Sequence, residues 1–351
     1  MLSVGLVGLP NAGKSTLFNL LTKRSVPAEN FPFCTIEPNS GIVEVPDKRV
    51  SELAKILKSE KEIYSPIEFK DIAGLVKNAS QGAGLGNQFL SHIKETDMIL
   101  LVVRCFQNEN VIHVENRVNP QEDEEILLLE LMLADQQVLE KTIPRLEKDL
   151  KSNKDRLLPD KIMIIEKILE KITKLELAST FQLPAGSDKD LLKWRSGLNL
   201  LTDKPILRLA NISSDTENLE YQSDFDLDIF LESTVADMTE SEREELGLET
   251  QTGLDKLIRA CYYKLNLGSF LTVGPKESRS WTFKKGMTAP ECAGVIHTDF
   301  EKNFVKAEVV SFQDFIETDG YKGALEKGKL RIEGKEYIMQ DGDVVEFKIG
   351  V

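Results

Sequence analysis

Residues 8–15, GLPNAGKS, match the phosphate-binding pattern G-x-x-x-x-G-K-[ST], with a short apolar run before them and an amphipathic stretch after them. Glycines in such a loop let successive backbone N–H groups turn inward around phosphate oxygens, and the following helix adds the positive end of its dipole. We expect Lys14 to contact the β- and γ-phosphates and the Ser15 hydroxyl to ligate Mg²⁺. The expected nucleotide contacts in this loop are Asn11, Ala12, Gly13, Lys14, Ser15 and Thr16. The pattern therefore predicts a nucleoside triphosphate site.

Two further segments carry residues for a metal ion and for the γ-phosphate. Asp71 and Gly74 form a D-x-x-G pattern after a predicted strand, which places Asp71 beside the metal through water and Gly74 beside the γ-phosphate. Thr35 lies between the first helix and the second strand, where a switch loop would supply a hydroxyl to Mg²⁺. Ser25 and Thr22 are the alternatives to Thr35. The predicted metal ligands are Ser15, Thr35 and Asp71.

The segment expected to bind the base lacks the signature for guanine. Guanine-specific members of this class carry N-K-x-D after the fifth strand, and the carboxylate accepts two hydrogen bonds from the guanine edge. Here Asn211 is followed by Ile212 in the lysine position and by Ser214 in the aspartate position. Asn211 can still donate or accept at a purine edge, whereas Asp215 reaches it only if the loop shifts by one residue. The missing carboxylate favours adenine, with relaxed purine specificity as the alternative.

Apolar runs and amphipathic stretches alternate in the first 120 residues and predict an α/β fold. The strands are expected over 3–8, 41–45, 67–72, 98–105, 205–212 and 228–234, and the first helix over 14–22. The run at 98–105 is continuously apolar, as a strand covered on both faces should be. Strands of this kind joined by helices predict a parallel sheet.

Two other regions differ from this pattern. Residues 121–200 show apolar side chains at three- and four-residue spacing, interrupted at Pro144 and Pro159, which predicts two or more helices forming an antiparallel arm inserted into the sheet domain. Residues 268–351 predict a small α+β module with one good helix over 288–297. Its strands are expected over 280–283, 305–311, 329–332, 337–339 and 344–348.

Composition excludes several classes of protein. The 351 residues carry 44 basic and 58 acidic side chains, and residues 201–267 alone hold 15 acids against 6 bases, which we interpret as a solvated face, with a recruitment surface as the alternative. No apolar run reaches the roughly 20 residues of a membrane span, and the amino terminus lacks a basic leader. Four separated cysteines and three histidines disfavour a zinc ribbon or a disulfide framework. We expect a cytoplasmic globular protein without membrane contact.

Long stretches of the chain closely resemble the YchF/Obg-like ATPase family. These stretches are 8–19, 30–39, 71–76, 82–87 and 102–106, and residues 294–300 and 340–344 resemble the family's carboxy-terminal TGS module. The resemblance implies a P-loop (OBG-type G) domain over 1–120 and 201–267, an inserted α-helical coiled-coil-like arm over 121–200, and an α+β ubiquitin-like (β-grasp) TGS domain over 268–351. It also implies ATP preference and association with the ribosome.

The resemblance further implies roles for individual residues. The family carries a hydrophobic residue where related GTPases place a water-orienting glutamine, and Leu75 matches that position. Because leucine cannot orient water, hydrolysis is expected to depend on Mg²⁺, Lys14, backbone donors and a monovalent ion. Asn11 is associated with K⁺ in the wider class, and stabilisation of the loop through its own backbone is the alternative. The last base-binding loop is aligned with residues 232–236, which makes Ser233 a candidate nucleotide contact. The expected catalytic group is Lys14, Asn11, Gly74 and Leu75.

These observations support one main hypothesis and two alternatives. The main hypothesis is an ATP-hydrolysing switch, whose nucleotide state reorganises residues near Thr35 and 74–86 and changes how the arm and the TGS module meet the ribosome. Its intrinsic turnover is expected at or below about 10⁻² per second. A nucleotide-sensing, ribosome-binding adaptor with negligible catalysis is motivated by Leu75 and by Leu101, since many family members carry histidine in that strand. A small-molecule kinase is disfavoured because no acceptor pocket is suggested. The expected partners are ATP and the ribosome or a ribosomal subunit, through RNA and protein contacts, with no sequence-specific DNA and a monomeric state.

Overall fold

The computed structural model describes residues 1–24, 39–72, 84–108, 117–151, 155–214, 216, 220–236, 238–245, 247 and 252–350. The strands are β1 (Ser3–Val7), β2 (Ser40–Glu44), β3 (Lys61–Ile63), β4 (Pro66–Asp71), β5 (Met98–Arg104), β6 (Ile206–Asn211), β7 (Phe225–Leu227), β8 (Leu267–Val273), β9 (Glu277–Lys284), β10 (Phe304–Ser311), β11 (Arg331–Glu333) and β12 (Asp343–Ile349). The helices are α1 (Lys14–Lys23), α2 (Lys48–Leu57), α3 (Gly84–Lys94), α4 (Pro120–Lys151), α5 (Leu158–Thr173), α6 (Lys189–Gly197), α7 (Ile229–Val235), α8 (Glu240–Glu245), α9 (Gly253–Lys264), α10 (Ala289–Ile296), α11 (Thr298–Lys302), α12 (Phe312–Glu317) and α13 (Tyr321–Glu326). In these described ranges, no helix combines the length and apolar character needed to cross a membrane.

The first sheet has the strand order β2-β4-β1-β5-β6-β7. All neighbouring pairs are parallel except β2 and β4, which are antiparallel. Every residue of β1 and β5 is buried, because helices cover both faces of the sheet. The predicted α/β sheet is therefore confirmed, and β1 lies at its centre, between the strand that ends at Asp71 and β5.

The predicted strand over 228–234 is wrong, because this stretch forms helix α7. The Asp228 side chain accepts a hydrogen bond from the Leu231 backbone N–H at 2.8 Å and thereby caps the first turn of the helix. Ile229, Glu232 and Val235 are buried at three-residue spacing, which is one helical face. The actual strand, β7, lies immediately before this stretch and is only three residues long.

Residues 121–200, for which a helical arm was predicted, contain α4, α5 and α6, but Pro144 does not end a helix as expected. Helix α4 runs for 32 residues with Pro144 inside it. Proline removes one N–H from the helical ladder, and here its ring lies on an exposed face. Leu139 and Leu146, on either side of it, are buried with Ile165 and Ile168 of α5 in one apolar cluster. Burial of this stripe keeps the helix continuous through the proline.

Carboxylates in the first half of α4 attach the arm to the first sheet. Asp135 is fully buried and accepts hydrogen bonds from the Leu201 N–H at 2.7 Å, the Thr202 N–H at 2.8 Å and the Thr202 hydroxyl at 2.6 Å. Glu124 accepts a hydrogen bond from Arg208 Nε of β6 at 2.5 Å. The base of the arm is therefore fixed to β6 and to the residues that lead into it.

The second sheet has the order β11-β10-β12-β8-β9-β3, and its mixed parallel and antiparallel pairing agrees with the α+β fold predicted for the C-terminal part of the chain. Its edge strand β3 comes from residues 61–63, outside the predicted module. The expectation of one helix there is wrong, since α10, α11, α12 and α13 all follow β9. The strand predicted over 337–339 is wrong, because this stretch forms only an isolated bridge between Ile338 and Thr288. Strand β8 was not predicted. Short amphipathic helices of five to eight residues give too little periodic signal to be distinguished from loops.

Candidate nucleotide-binding site

The loop between β1 and α1 has the backbone geometry of a phosphate cradle. Gly13 has φ 104° and Asn11 has φ 62°, so the chain reverses tightly before the helix begins. A Cβ atom on Gly8 would lie 2.4 Å from the Val102 carbonyl oxygen of β5, and one on Gly13 would lie 2.4 Å from Asn211 Nδ2. Glycine is therefore required at both positions, and the loop follows a central strand at its carboxyl end, where α/β sheets bind ligands.

Lys14 begins α1 and is buried at the base of the loop. Its side chain is 6% exposed, and Nζ donates a hydrogen bond to the Leu9 carbonyl oxygen at 2.8 Å. Burial lowers the pKa of Lys14 to about 8, and the negative charge of Asp71 opposes part of this shift. An ammonium group that is held in the loop and poorly solvated is positioned for a phosphate oxygen, which would replace the carbonyl as its partner.

Ser15 and Asp71 meet beside the loop. The Ser15 hydroxyl donates a hydrogen bond to Asp71 Oδ2 at 3.2 Å, and Asp71 is the last residue of β4, which pairs with β1. A hydroxyl and a carboxylate are hard oxygen ligands, and Mg²⁺ typically takes few protein ligands and completes its shell with phosphate oxygens and water. The pair brought together here therefore fits the predicted metal site.

Asn211 supports the loop from the end of β6. The side chain is 4% exposed, Nδ2 donates a hydrogen bond to the Ala12 carbonyl oxygen at 2.9 Å, and Oδ1 accepts one from the Ile229 N–H at 3.4 Å. These contacts join the phosphate loop, β6 and the start of α7. The structure places the Asn211 amide against the loop between β1 and α1, and the contact of Asn211 with the purine edge stays a prediction.

The described residues directly after Asn211 are Ile212, Ser213 and Ser214, none of which carries a carboxylate. The Asn211 carbonyl oxygen accepts a hydrogen bond from the Cys105 N–H at 2.9 Å, so the ends of β5 and β6 stay together. The Ser213 N–H donates a hydrogen bond to Thr216 Oγ1 at 2.9 Å, which closes a turn. Ile212 is half-buried within this turn and Ser214 is exposed. In the sequence, Ser214 occupies the position of the aspartate in N-K-x-D.

Ser233 lies in helix α7, where its hydroxyl donates a hydrogen bond to the Phe230 carbonyl oxygen at 2.7 Å. Leu227, the last residue of β7, pairs with Asn211, the last residue of β6, so α7 begins beside the end of β6. The contact of Ser233 with the nucleotide stays a prediction.

Several predicted residues lie outside the described part of the chain. Thr35, Gly74 and Leu75 belong to this group, as does the glycine-rich stretch over 77–83. Among the described cysteines, Cys105, Cys261 and Cys292 are free and buried.

A parallel α/β sheet with a glycine-rich loop between its central strand and the following helix, a buried lysine and an adjacent Ser–Asp pair defines a P-loop nucleotide-binding protein. Residues 3–139 match the family described as "50S ribosome-binding GTPase", and residues 267–350 match the YchF-GTPase C-terminal family, described as "Protein of unknown function (DUF933)".

Comparison with known proteins identifies the family within this class. The ribosome-binding ATPase YchF of Bacillus subtilis (strain 168) is 45% identical over 373 residues, covering 100% of both chains. The protein of the same name from Escherichia coli O157:H7 is 45% identical, covering 99% of each. The structure of the Schizosaccharomyces pombe YchF GTPase superposes with a TM-score of 0.83 at 34% identity, covering 99% of this chain and 97% of that one. The chain belongs to the YchF family.

Proposed function

We propose that this chain is a ribosome-associated switch protein that binds and slowly hydrolyses ATP in preference to GTP. The observation that carries the proposal is the geometry of residues 8–15, in which a buried lysine and a Ser15–Asp71 pair surround a backbone cradle. The names of the relatives, ribosome-binding ATPases over the full length of the chain, support both the activity and the partner. We place the protein in the cytoplasm, as a monomer.

Different residues are proposed to bind the phosphates and the metal ion. The backbone of the loop and Lys14 hold the β- and γ-phosphates, while Ser15 and Asp71 would hold Mg²⁺, with Thr35 as its proposed third ligand. When bound, Mg²⁺ neutralises the charge that develops on the phosphate oxygens. Asn211 keeps Ala12 in place at 2.9 Å, so that the loop is ready before the nucleotide arrives.

Base preference follows from the turn after β6. A guanine base needs a carboxylate to accept its two N–H donors, and Ser214 supplies only a neutral hydroxyl. Adenine makes no such demand. ATP is therefore the proposed substrate. An NTPase with relaxed ATP and GTP specificity is the second candidate, supported by the name GTPase given to the Schizosaccharomyces pombe relative.

Hydrolysis is proposed to proceed without a water-orienting glutamine, since Leu75 stands after Gly74 in the sequence. Asn11, with its left-handed backbone at φ 62°, is the proposed residue for a K⁺ ion that would add positive charge beside the phosphates. Slow turnover is the expected result. Leu75, together with Leu101 on the fully buried strand β5, also motivates an adaptor that senses nucleotide with negligible catalysis.

Two measurements test the proposal. Parallel titrations with non-hydrolysable ATP and GTP analogues should give tighter ATP binding, and Lys14→Ala should abolish binding or hydrolysis. Tight, selective GTP binding would overturn the base assignment. Turnover is then measured in K⁺ and in Na⁺, with and without ribosomes. Stimulation by K⁺ or by ribosomes supports the switch, and no turnover in any condition favours the adaptor.

A further inference from the structure

Residues 45–65 connect two strands of the first sheet and contribute one strand, β3, to the second sheet. They connect β2 to β4 in the nucleotide-binding sheet, and the stem of this connection is closed by a hydrogen bond from the Val45 N–H to the Ser65 carbonyl oxygen at 2.8 Å. Beyond the stem, the chain forms α2 and then β3, which pairs in parallel with β9 at the edge of the second sheet. We call residues 45–65 the bridging segment.

The bridging segment shares an apolar core with the C-terminal unit. Val50 and Leu53 of α2 are fully buried in one cluster with Leu271 of β8, Phe315 of α12 and Val344 of β12. All five side chains have 0% exposure. A core of this density transmits displacement, because its members cannot move without repacking.

Polar contacts also join the bridging segment to the C-terminal unit around this core. Arg49 Nη1 lies 3.1 Å from Asp341 Oδ2, and Asp341 Oδ1 accepts a hydrogen bond from the Ser269 N–H at 2.8 Å. The Ser65 N–H donates a hydrogen bond to Ser280 Oγ at 2.8 Å, and both serines are buried. The buried Ser65–Ser280 contact fixes one arrangement of the two elements, since breaking it leaves polar groups unpaired, and the partly exposed Arg49–Asp341 pair adds a charged contact at the edge of the same junction.

The other end of the bridging segment leads directly to the metal-binding pair. Strand β4 starts at Pro66, next to Ser65, and ends at Asp71, whose Oδ2 lies 3.2 Å from Ser15 Oγ. Six strand residues span about 20 Å, and β4 is hydrogen-bonded to β1 on one side and to β2 on the other. Ser65 and Asp71 are thus joined by one continuous strand, through which a shift of the bridging segment would reach Asp71.

We propose that the C-terminal sheet is a positioning element of the nucleotide site: through the bridging segment it sets the position of β4 and hence of Asp71 relative to Ser15. The inference rests on the proposed nucleotide binding. It follows that nucleotide at residues 8–15 and any macromolecular partner held by the C-terminal sheet change each other's affinity by the same factor.

Asp341→Asn tests the proposal from the far side of the junction. Asparagine keeps an oxygen for the Ser269 N–H but removes the charge that faces Arg49. The matched control is Lys306→Gln, which breaks the 3.0 Å pair with Glu308 elsewhere on the same sheet. Titration with a fluorescent, non-hydrolysable ATP analogue and Mg²⁺ should show about threefold weaker binding for Asp341→Asn. Hydrogen exchange of the β4 amides should be faster in this variant, and the control should match the wild type in both measurements.

Each outcome decides the matter. Equal analogue affinity and equal β4 exchange in a folded Asp341→Asn protein would overturn the proposal. If that variant does not fold, Arg49→Lys replaces it, because lysine keeps the positive charge but cannot donate to both oxygens of Asp341. Weaker analogue binding and faster β4 exchange are then required of Arg49→Lys. If the wild type binds no nucleotide, the proposed function fails, and the exchange of β4 without nucleotide still distinguishes a coupled junction from an independent one.

Discussion

Asn211 Nδ2 lies 2.9 Å from the Ala12 carbonyl oxygen, although 199 residues separate the two in the chain. We expect Asn211→Ala to weaken binding of an ATP analogue about tenfold, because the buried Ala12 carbonyl and Ile229 N–H lose their partner and the loop loses its support. Fluorescence titration measures the effect. Ser213→Ala, in the neighbouring turn, serves as the control and should bind as the wild type does; an Asn211→Ala protein with unchanged affinity would contradict the assigned role.

Lys14 makes stability depend on pH in an unusual direction. Its pKa is about 8 in the folded protein and 10.5 when exposed, so the unfolded chain binds more protons between these values and stability rises with pH across that window. Below pH 8 the folded state carries the full cost of the buried charge, on the order of 3 kcal/mol. Lys14→Met should therefore be more stable than the wild type at pH 7 while losing nucleotide binding. Denaturant unfolding at pH 7 and pH 10 checks this, and an equal difference at both values would refute it.

Restoring the acidic clamp should change base preference. Ile212→Lys combined with Ser214→Asp rebuilds N-K-x-D on the turn after β6, and the new carboxylate can accept both guanine N–H groups. We expect the ratio of GTP to ATP affinity to rise at least about tenfold. The control, Ile212→Lys with Ser214→Asn, lacks the new carboxylate and should shift the ratio of GTP to ATP affinity much less. Competition between the two analogues gives the measurement; a ratio that does not move would place the base elsewhere.

Asp135 should be essential for the attachment of the arm. Its carboxylate accepts three hydrogen bonds from Leu201 and Thr202, and asparagine can accept at one atom only while its amide hydrogens face donors. Asp135→Asn is expected to lower the free energy of unfolding by about 2–4 kcal/mol. Glu166→Gln, on the exposed face of α5, should change it by less than about 0.5 kcal/mol. Chemical denaturation of both variants provides the comparison.

Leu53→Ala tests the core shared by α2 and the C-terminal unit. Removing a fully buried leucine side chain should cost about 2–4 kcal/mol and should destabilise the second sheet, although Leu53 lies more than 200 residues before it. Trp281 of β9 reports on that sheet if Trp194 is replaced by Phe. Lys55→Ala on the exposed side of α2 is the control. A normal Trp281 transition in Leu53→Ala would show that the second sheet is independent of α2.

The phosphate loop was predictable because all its determinants are contiguous. Residues 8–15 contain the glycines, the lysine and the serine in one pattern, and the strand before Asp71 placed that carboxylate at the same edge of the sheet. The support from Asn211 was not predictable, since no local pattern reports which carbonyl a distant amide will reach. Ser233 was a candidate because residues 232–236 were aligned with the family's last base-binding loop. Helix α7 itself was missed because the apolar run over 228–234 resembles a strand, and the capping contact of Asp228 depends on the folded backbone.

Tertiary packing also overrode two local signals. Pro144 normally ends a helix, yet the buried stripe of Leu139 and Leu146 continues α4 through it. Strand β3 has three residues, and its Lys61 and Glu62 are exposed, so nothing in its composition predicts a place in the C-terminal sheet. Its pairing with β9 depends on contacts more than 200 residues apart in sequence.

Helix α4 resembles a lever whose first half is anchored and whose second half, of equal length, extends beyond the anchor. Its 32 residues extend about 48 Å, and the last anchoring carboxylate, Asp135, stands near the midpoint. A tilt of about 10° at that fulcrum would carry the far end of α4 through roughly 4 Å, since about 24 Å of helix lies beyond it. A partner that contacts the C-terminal end of α4 would therefore exert a force, through Asp135, on the residues that lead into β6, the strand that ends in Asn211.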